Sequence, residues 1–292
     1  MTSPLLSELL LRIDELKSSI DALRPIPADR MGRVMQHLRL EWNFNSNSIE
    51  GNTLTLQETR TFLMFGLTAN GKPFRDHLEM RGHDEALKKL EEIVHKDLKI
   101  TENIIKDLHQ TILVEPFDSA AEINPGAYKK LPNYLYTPIG ERMDFEPPEE
   151  VPRLMNELVN WTNNCLYPED LGRKAQRKYE VHPFVVATFF HLRFIRIHPF
   201  GDGNGRMARI CTNLLLMLSG YMPLIVRQED KQDYYRALNQ SSTDDVTPLA
   251  SFLGEALIRS LELTLRGARG ESLENSEDWK AQAKALSEQM GH

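Results

Sequence analysis

From Phe184 to Ile197 the chain reads FVVATFFHLRFIRI, apolar on nearly every side of a helix rather than along one face. Such a helix has no stable place at a protein surface and needs other helices around it, so the segment predicts the centre of a helical bundle. Amphipathic stretches that could surround it are present. Leu5, Leu9, Ile13, Leu16, Ile20 and Leu23 recur at spacings of three and four, the stripe of a helix burying one face, and Pro25 and Pro27 end it. Further helices are expected at about 29–50, 55–66, 75–96, 101–114, 148–166, 183–197, 205–219, 230–240 and 246–266, the second of these opened by the capping box Thr55-Leu56-Gln57-Glu58. One segment breaks the pattern. Asn124 to Pro148, NPGAYKKLPNYLYTPIGERMDFEPP, sets aromatic residues between Pro-Gly and Gly-Glu turn signals and predicts a short hairpin. The fold class expected is therefore all-α, with one β-hairpin. After Arg266 the tail is polar apart from a weakly amphipathic stretch, DWKAQAKALSEQM.

Composition narrows the function. The 292 residues carry 42 acidic and 35 basic side chains, a net charge of -7, which repels polyanions and argues against DNA or RNA as a partner. No apolar run approaches the roughly 18 residues of a membrane span. The leucine-rich start has early acids and no basic n-region, so it does not read as a secretory signal. Two cysteines, Cys165 and Cys211, exclude a disulfide framework or a multi-cysteine zinc site and suit a reducing compartment. A cytoplasmic enzyme with no membrane partner is expected.

The chemistry lies where the apolar helix ends. His198-Pro199-Phe200 closes it, Gly201-Asp202-Gly203-Asn204-Gly205 follows, and a fresh helix opens with Arg206 and Arg209. Successive backbone N–H groups of such a loop form an anion nest, and the positive end of the next helix points into the same space. The glycines allow positive φ and close approach, and Asn204 can order the turn. Two arginines at a helix start oppose its dipole by about 0.3 to 1 kcal/mol each, which implies an anionic partner. The loop is neither the dinucleotide fingerprint nor a Walker loop.

The stretch His198-Pro-Phe-Gly-Asp202-Gly-Asn204-Gly-Arg206-Met-Ala-Arg209 matches without a gap the signature HxFx(D/E)GNGRxxR, and the chain resembles the Fic family (filamentation induced by cyclic AMP) from roughly Arg30 to Leu265. The resemblance implies a Fic-type helical bundle with the hairpin as a flap over the active site. It also implies an adenylyltransferase that moves AMP from ATP to a Tyr, Thr or Ser hydroxyl of a target protein. His198 would be the general base, as histidine titrates near the working pH. Asp202 resembles the ligand for magnesium, with manganese as the alternative ion. Gly203, Asn204, Gly205 and Arg206 would hold the phosphates and the developing charge, and Arg209 is similar to the arginine that reaches the γ-phosphate.

Upstream, Ser46-Asn-Ser-Ile-Glu50-Gly51-Asn52 matches the family's inhibitory pattern (S/T)xxxE(G/N) and resembles the class with an N-terminal inhibitory helix. Glu50 stands at a helix end, where a carboxylate faces the negative end of the dipole, and Arg209 is a cation at a positive end. Pairing them relieves both mismatches and takes the arginine from ATP. The expected organisation is an N-terminal helical region over 1–98 carrying the inhibitory motif 46–52, a catalytic core over 99–266 with its flap at 124–148, and a tail over 267–292.

On the substrate side, Lys129, Asn133 and Tyr134 of the flap would dock a target by strand addition. Tyr234-Tyr235 resembles the pair lining the adenine pocket, although one of them is equally well accounted for as a core aromatic. Relatives often carry an asparagine where this chain has Ser242. Three other readings stay open: removal of AMP with Glu50 orienting water, another phosphate transfer such as that of kinase-like relatives, and a non-catalytic nucleotide- and peptide-binding module. Self-modification and a homodimer are further properties the resemblance allows.

Overall fold

A computed structural model of the chain describes residues 4–113, 124–136, 142–167 and 179–273. Among these, ten α-helices and one pair of short strands follow in the order α1 (Pro4–Asp21), α2 (Ala28–Ile49), α3 (Leu56–Phe65), α4 (Phe74–His95), α5 (Glu102–Ile112), β1 (Tyr134–Tyr136), β2 (Arg142–Asp144), α6 (Val151–Leu166), α7 (Pro183–Ile197), α8 (Asn204–Leu218), α9 (Lys231–Gln240) and α10 (Thr247–Arg269). The fold is all-α, and the predicted helices fall where periodicity and caps put them. The two strands pair antiparallel with Leu135 opposite Met143. The turn at 137–141 and the amphipathic stretch at 278–290 lie outside the described residues.

Helix α7 is the axis. Phe184, Val186, Ala187, Phe190, Phe194 and Ile197 are fully buried, because α7 is packed between α6, α8 and α10. This is what an all-round apolar helix requires. Helix α1 lies along α10, burying Leu6, Ile13, Leu16 and Ile20. Leu5 and Leu23, which the spacing placed on the buried stripe, are instead exposed at the ends of that stripe. Gly254 permits the close approach: a Cβ there would stand 2.4 Å from Leu9 Cδ2.

Helix α10 reaches Arg269 and ends at Gly270 with φ of 84°, three residues beyond the expected end. Gly267, the first residue past the expected end, is a packing site inside the helix, since a Cβ there would meet Val34 at 2.3 Å.

Helix α2 is tied to α4 along its length. Asn43 donates to Asp84 at 3.0 Å and accepts from His83 Nδ1 at 2.7 Å, while Arg39 donates to Asp84 at 2.7 Å. Past its end, Asn52 donates to the Asp76 carbonyl at 2.9 Å, and the Thr53 amide donates to the Asp76 carboxylate at 2.8 Å. These bonds fix the position of Glu50, the residue that caps α2. No helix among the described residues is long and apolar enough to cross a membrane.

Candidate active site

The α7–loop–α8 segment forms the floor. α7 stops because Pro199 follows and His198 turns left-handed, with φ of 51° and ψ of 59°. A residue other than glycine is uncommon there. The imidazole lies face to face with Phe145, at 3.7 Å between ring centres and 12° between planes. Its Nδ1 faces the Ile195 carbonyl at 3.3 Å, so Nδ1 carries the proton and Nε2 keeps its lone pair. Burial holds the His198 pKa down to about 4, against the opposing pull of that carbonyl. The ring is neutral near neutral pH.

Asn204 closes the loop on itself. Its Oδ1 accepts from the Phe200 amide and its Nδ2 donates to the Phe200 carbonyl, both at 2.9 Å. Gly203 takes φ of 76°, and Asp202 Oδ1 accepts the Gly203 amide at 2.6 Å. Asp202 Oδ2 faces Arg206 at 3.9 Å. Arg206 is buried, and its Nε and Nη1 have no hydrogen-bond partner among the described residues. Desolvated guanidinium donors are costly to leave unmatched, and their position beside the glycine loop marks an anion site.

Arg209 is 3% exposed and held from α2. Its Nε donates to Ser46 Oγ at 3.0 Å, and its Nη2 donates to the Ser46 carbonyl at 2.9 Å and to Glu50 Oε1 at 2.7 Å. Burial disfavours the charge, and the Glu50 carboxylate together with Tyr234 and Tyr235 more than restores it. The same carboxylate sits above Gly205, where a Cβ would be 2.4 Å from Oε1. An anion thus occupies the N-terminal turn of α8.

The two tyrosines of α9 separate. Tyr234 is buried, and its hydroxyl lies 2.6 Å from His191 Nε2. His191 Nδ1 in turn meets Thr212 Oγ1 at 2.8 Å, and Thr212 donates to the Ala208 carbonyl at 2.7 Å. That chain fixes the directions: Thr212 accepts from His191 Nδ1–H, so Tyr234 donates to His191 Nε2. The Tyr234 oxygen also interacts with the Arg209 guanidinium. Tyr235 is 38% exposed and leans on Tyr234 at 5.4 Å. Ser242 serves its own turn, accepting the Asp245 amide at 3.0 Å.

The hairpin base is anchored to the loop. The Lys129 amide donates to the Pro199 carbonyl at 2.8 Å, and Lys129 Nζ donates to Asn133 Oδ1 at 2.6 Å. Asn133 Nδ2 donates to the Phe200 carbonyl at 3.1 Å. Burial pushes the Lys129 ammonium pKa down to about 8, with Glu146 opposing. Tyr134 is displayed outward, with the Arg142 guanidinium 4.2 Å from its ring centre.

Residues not singled out from the sequence complete the site: Phe145 over His198, His191 behind Tyr234, and His109 beneath the loop. His109 sits on the buried face of α5 with Ile105, Leu108 and Ile112, where periodicity cannot tell it from a core residue.

A helical bundle whose two central helices present a histidine, a glycine-rich loop and two buried arginines defines an anion-binding class of site. The Fic/DOC family profile matches residues 99–216. A Fic domain containing signaling protein from Bacteroides thetaiotaomicron is 34% identical and superposes with a TM-score of 0.81 over 91% of this chain and 99% of its own. Fic-1 from C. elegans, 25% identical, has a TM-score of 0.73 over 91% of this chain and 74% of that one. The protein adenylyltransferase Fic of Nematostella vectensis is 33% identical across 88% of this chain and 56% of its own length. This chain belongs to the Fic family, and it spans about half the length of the curated relatives it matches.

Proposed function

We propose that the chain is an autoinhibited protein adenylyltransferase that moves AMP from ATP to a Tyr, Thr or Ser hydroxyl of a target protein. The observation that carries this reading is the Glu50 carboxylate, 2.7 Å from Arg209 and seated over Gly205 at the start of α8. It mimics a phosphate in a phosphate site. Relatives that align across 88% of this chain and carry the name protein adenylyltransferase Fic support the reaction class.

In the reaction, the target hydroxyl oxygen attacks the α-phosphorus and His198 Nε2 takes its proton. The bond from the α-phosphorus to the α–β bridging oxygen breaks, and pyrophosphate leaves. The left-handed turn at His198 and the Phe145 stack orient the lone pair. Backbone amides of Gly203 to Gly205 and Arg206 would meet the phosphate oxygens. Arg209, released from Glu50, would take the γ-phosphate. Lys129 and Asn133 would set the flap against the loop, with Tyr134 facing the target and Tyr235 the adenine.

Asp202 fits a magnesium site of the kind that uses one carboxylate plus phosphate oxygens: a single carboxylate beside the anion loop, with Oδ2 turned away from the Gly203 bond. Among the described residues no cluster of three ligating side chains stands there, so the phosphates would complete the shell. The ion would neutralise charge on the leaving pyrophosphate. In this scheme the region 1–98 regulates, by supplying Ser46 and Glu50, and 99–266 catalyses.

The test incubates wild type, Glu50→Gly and His198→Ala with magnesium and ATP labelled at the α or the γ position, with lysate protein and with a preadenylylated protein. Transfer of α label by Glu50→Gly and none by His198→Ala is expected. Transfer of γ label would make the protein a kinase, loss of preloaded AMP a hydrolase, and binding without turnover a recognition module.

A further inference from the structure

His109 is fully buried, and both of its ring nitrogens are spent on backbone groups of separate functional segments. Nε2 lies 3.0 Å from the Asp202 carbonyl, and Nδ1 lies 2.9 Å from the Gly126 amide. A carbonyl only accepts and an amide N–H only donates, so the partners dictate one neutral tautomer, protonated at Nε2. The ring is stacked on Phe200 at 3.6 Å and 6°, and Gly203 packs over it, 3.6 Å from His109 Cδ2 for a Cβ at that position. Gly126, with φ of 80°, lets the base of the hairpin close on α5, since a Cβ there would meet the Lys106 carbonyl at 3.2 Å. Three residues on, the Lys129 amide reaches the Pro199 carbonyl at 2.8 Å. The hairpin base is therefore pinned on one side by His109 and on the other by the residue that follows His198.

We propose that His109 is a positioning residue whose two nitrogens act separately, Nε2–H holding the Asp202 end of the anion loop and Nδ1 holding the base of the flap. A histidine that only filled the core would need neither bond to have a consequence at the site. The assignment rests on the nucleotide-binding reading above, and the two ends can be cut one at a time. Glutamine can place an amide N–H near the Nε2 position but offers no acceptor near Nδ1. Asparagine can place a carbonyl oxygen near Nδ1 but no donor near Nε2. Phenylalanine keeps the stack on Phe200 and loses both bonds.

The experiment places His109→Gln, His109→Asn and His109→Phe in the full chain carrying Glu50→Gly and checks each for a cooperative melt. Two readouts need no turnover: equilibrium binding of ATP with magnesium, and amide hydrogen exchange over residues 124–136. A third is α-label transfer to lysate protein. For His109→Gln, ATP affinity within twofold of the parent and exchange over 124–136 about tenfold faster are expected. For His109→Asn, parental exchange and an ATP affinity about tenfold weaker are expected; His109→Phe should show both losses. Folded His109→Gln and His109→Asn variants that each lose both properties, or neither, would overturn the separate roles and leave His109 a packing residue. If the Glu50→Gly parent binds ATP but transfers no label, the adenylyl-transfer reading fails while the binding and exchange pattern still decides the role of His109.

Discussion

Arg209 Nη2 lies 2.7 Å from Glu50 Oε1, joining the second turn of α8 to the cap of α2 across 159 residues of sequence. The pair matches a buried cation to a carboxylate, and Ser46 supplies two further acceptors to the same guanidinium. Glu50 sits at a helix end that disfavours its charge in isolation, and Arg209, one turn inside α8, is a buried cation that needs an anion. Their contact satisfies both, and the carboxylate lies over Gly205 at the start of α8.

Removing the carboxylate should release the site. Glu50→Gly is expected to raise α-label transfer by more than tenfold over wild type. Ser46→Ala, which removes one of the three hydrogen bonds that hold the charged Arg209 guanidinium and leaves the Ser46 carbonyl and Glu50 contacts in place, should give a smaller rise. Label incorporation at fixed time checks both, and a Ser46→Ala effect as large as that of Glu50→Gly would contradict the ranking.

The tyrosines should divide their labour. Tyr235→Ala removes the exposed ring proposed for the adenine and should weaken ATP and adenosine binding together, by about fivefold, in line with roughly 1 kcal/mol of stacking. Tyr234→Phe keeps the ring but cuts the bond to His191, so the orientation of Arg209 suffers. That variant should lose preference for ATP over ADP while binding adenosine normally, as measured by titration calorimetry in the Glu50→Gly background.

Much of this arrangement is legible in the sequence, for local reasons. Helix starts are written in short-range chemistry, as at Thr55 and Glu58, whose side chains bond each other's backbone amides. The anion loop is contiguous, so spacing alone carries it. What escapes is decided by tertiary contact. The rotation of α9 buries Tyr234 and exposes Tyr235, a choice that two adjacent identical residues cannot announce. His83, His109 and His191 each stand on apolar helix faces, and their partners lie 40, 93 and 43 residues away. The expected end of the last helix at 266 falls short because the packing partner of Gly267, Val34, belongs to another helix.

Those buried histidines predict an acid limb in stability. Burial drives His83 and His191 to about 3, well below the ordinary value of 6.5. The unfolded chain therefore binds protons that the folded chain refuses. Their contribution is complete above about pH 6.5 and is lost progressively as pH falls towards 3. Between about pH 7.5 and 5.5 each should cost about 1 kcal/mol of stability. Thermal melts across that range should show the fall, and His191→Gln should shallow it; a flat profile would contradict the assignment.

The proposed base leads to the opposite expectation for rate. His198 is held at about 4 by burial, so its lone pair is available throughout the neutral range. Transfer by Glu50→Gly should stay level from about pH 8 to 6, with no limb at the ordinary histidine value. A loss centred near 6.5 in a variant that remains folded would show that His198 is solvated in the working state.

The central claim is that Glu50 and the γ-phosphate compete for Arg209. Titration calorimetry of ATP and ADP, each with magnesium, into wild type and Glu50→Gly measures this directly. Wild type should bind the two nucleotides within about twofold of each other, and Glu50→Gly should prefer ATP by about tenfold, as a newly formed charge-assisted contact would give. An ATP-to-ADP ratio that is the same in both proteins would mean that Arg209 does not read the γ-phosphate, and the proposed brake would fall with it.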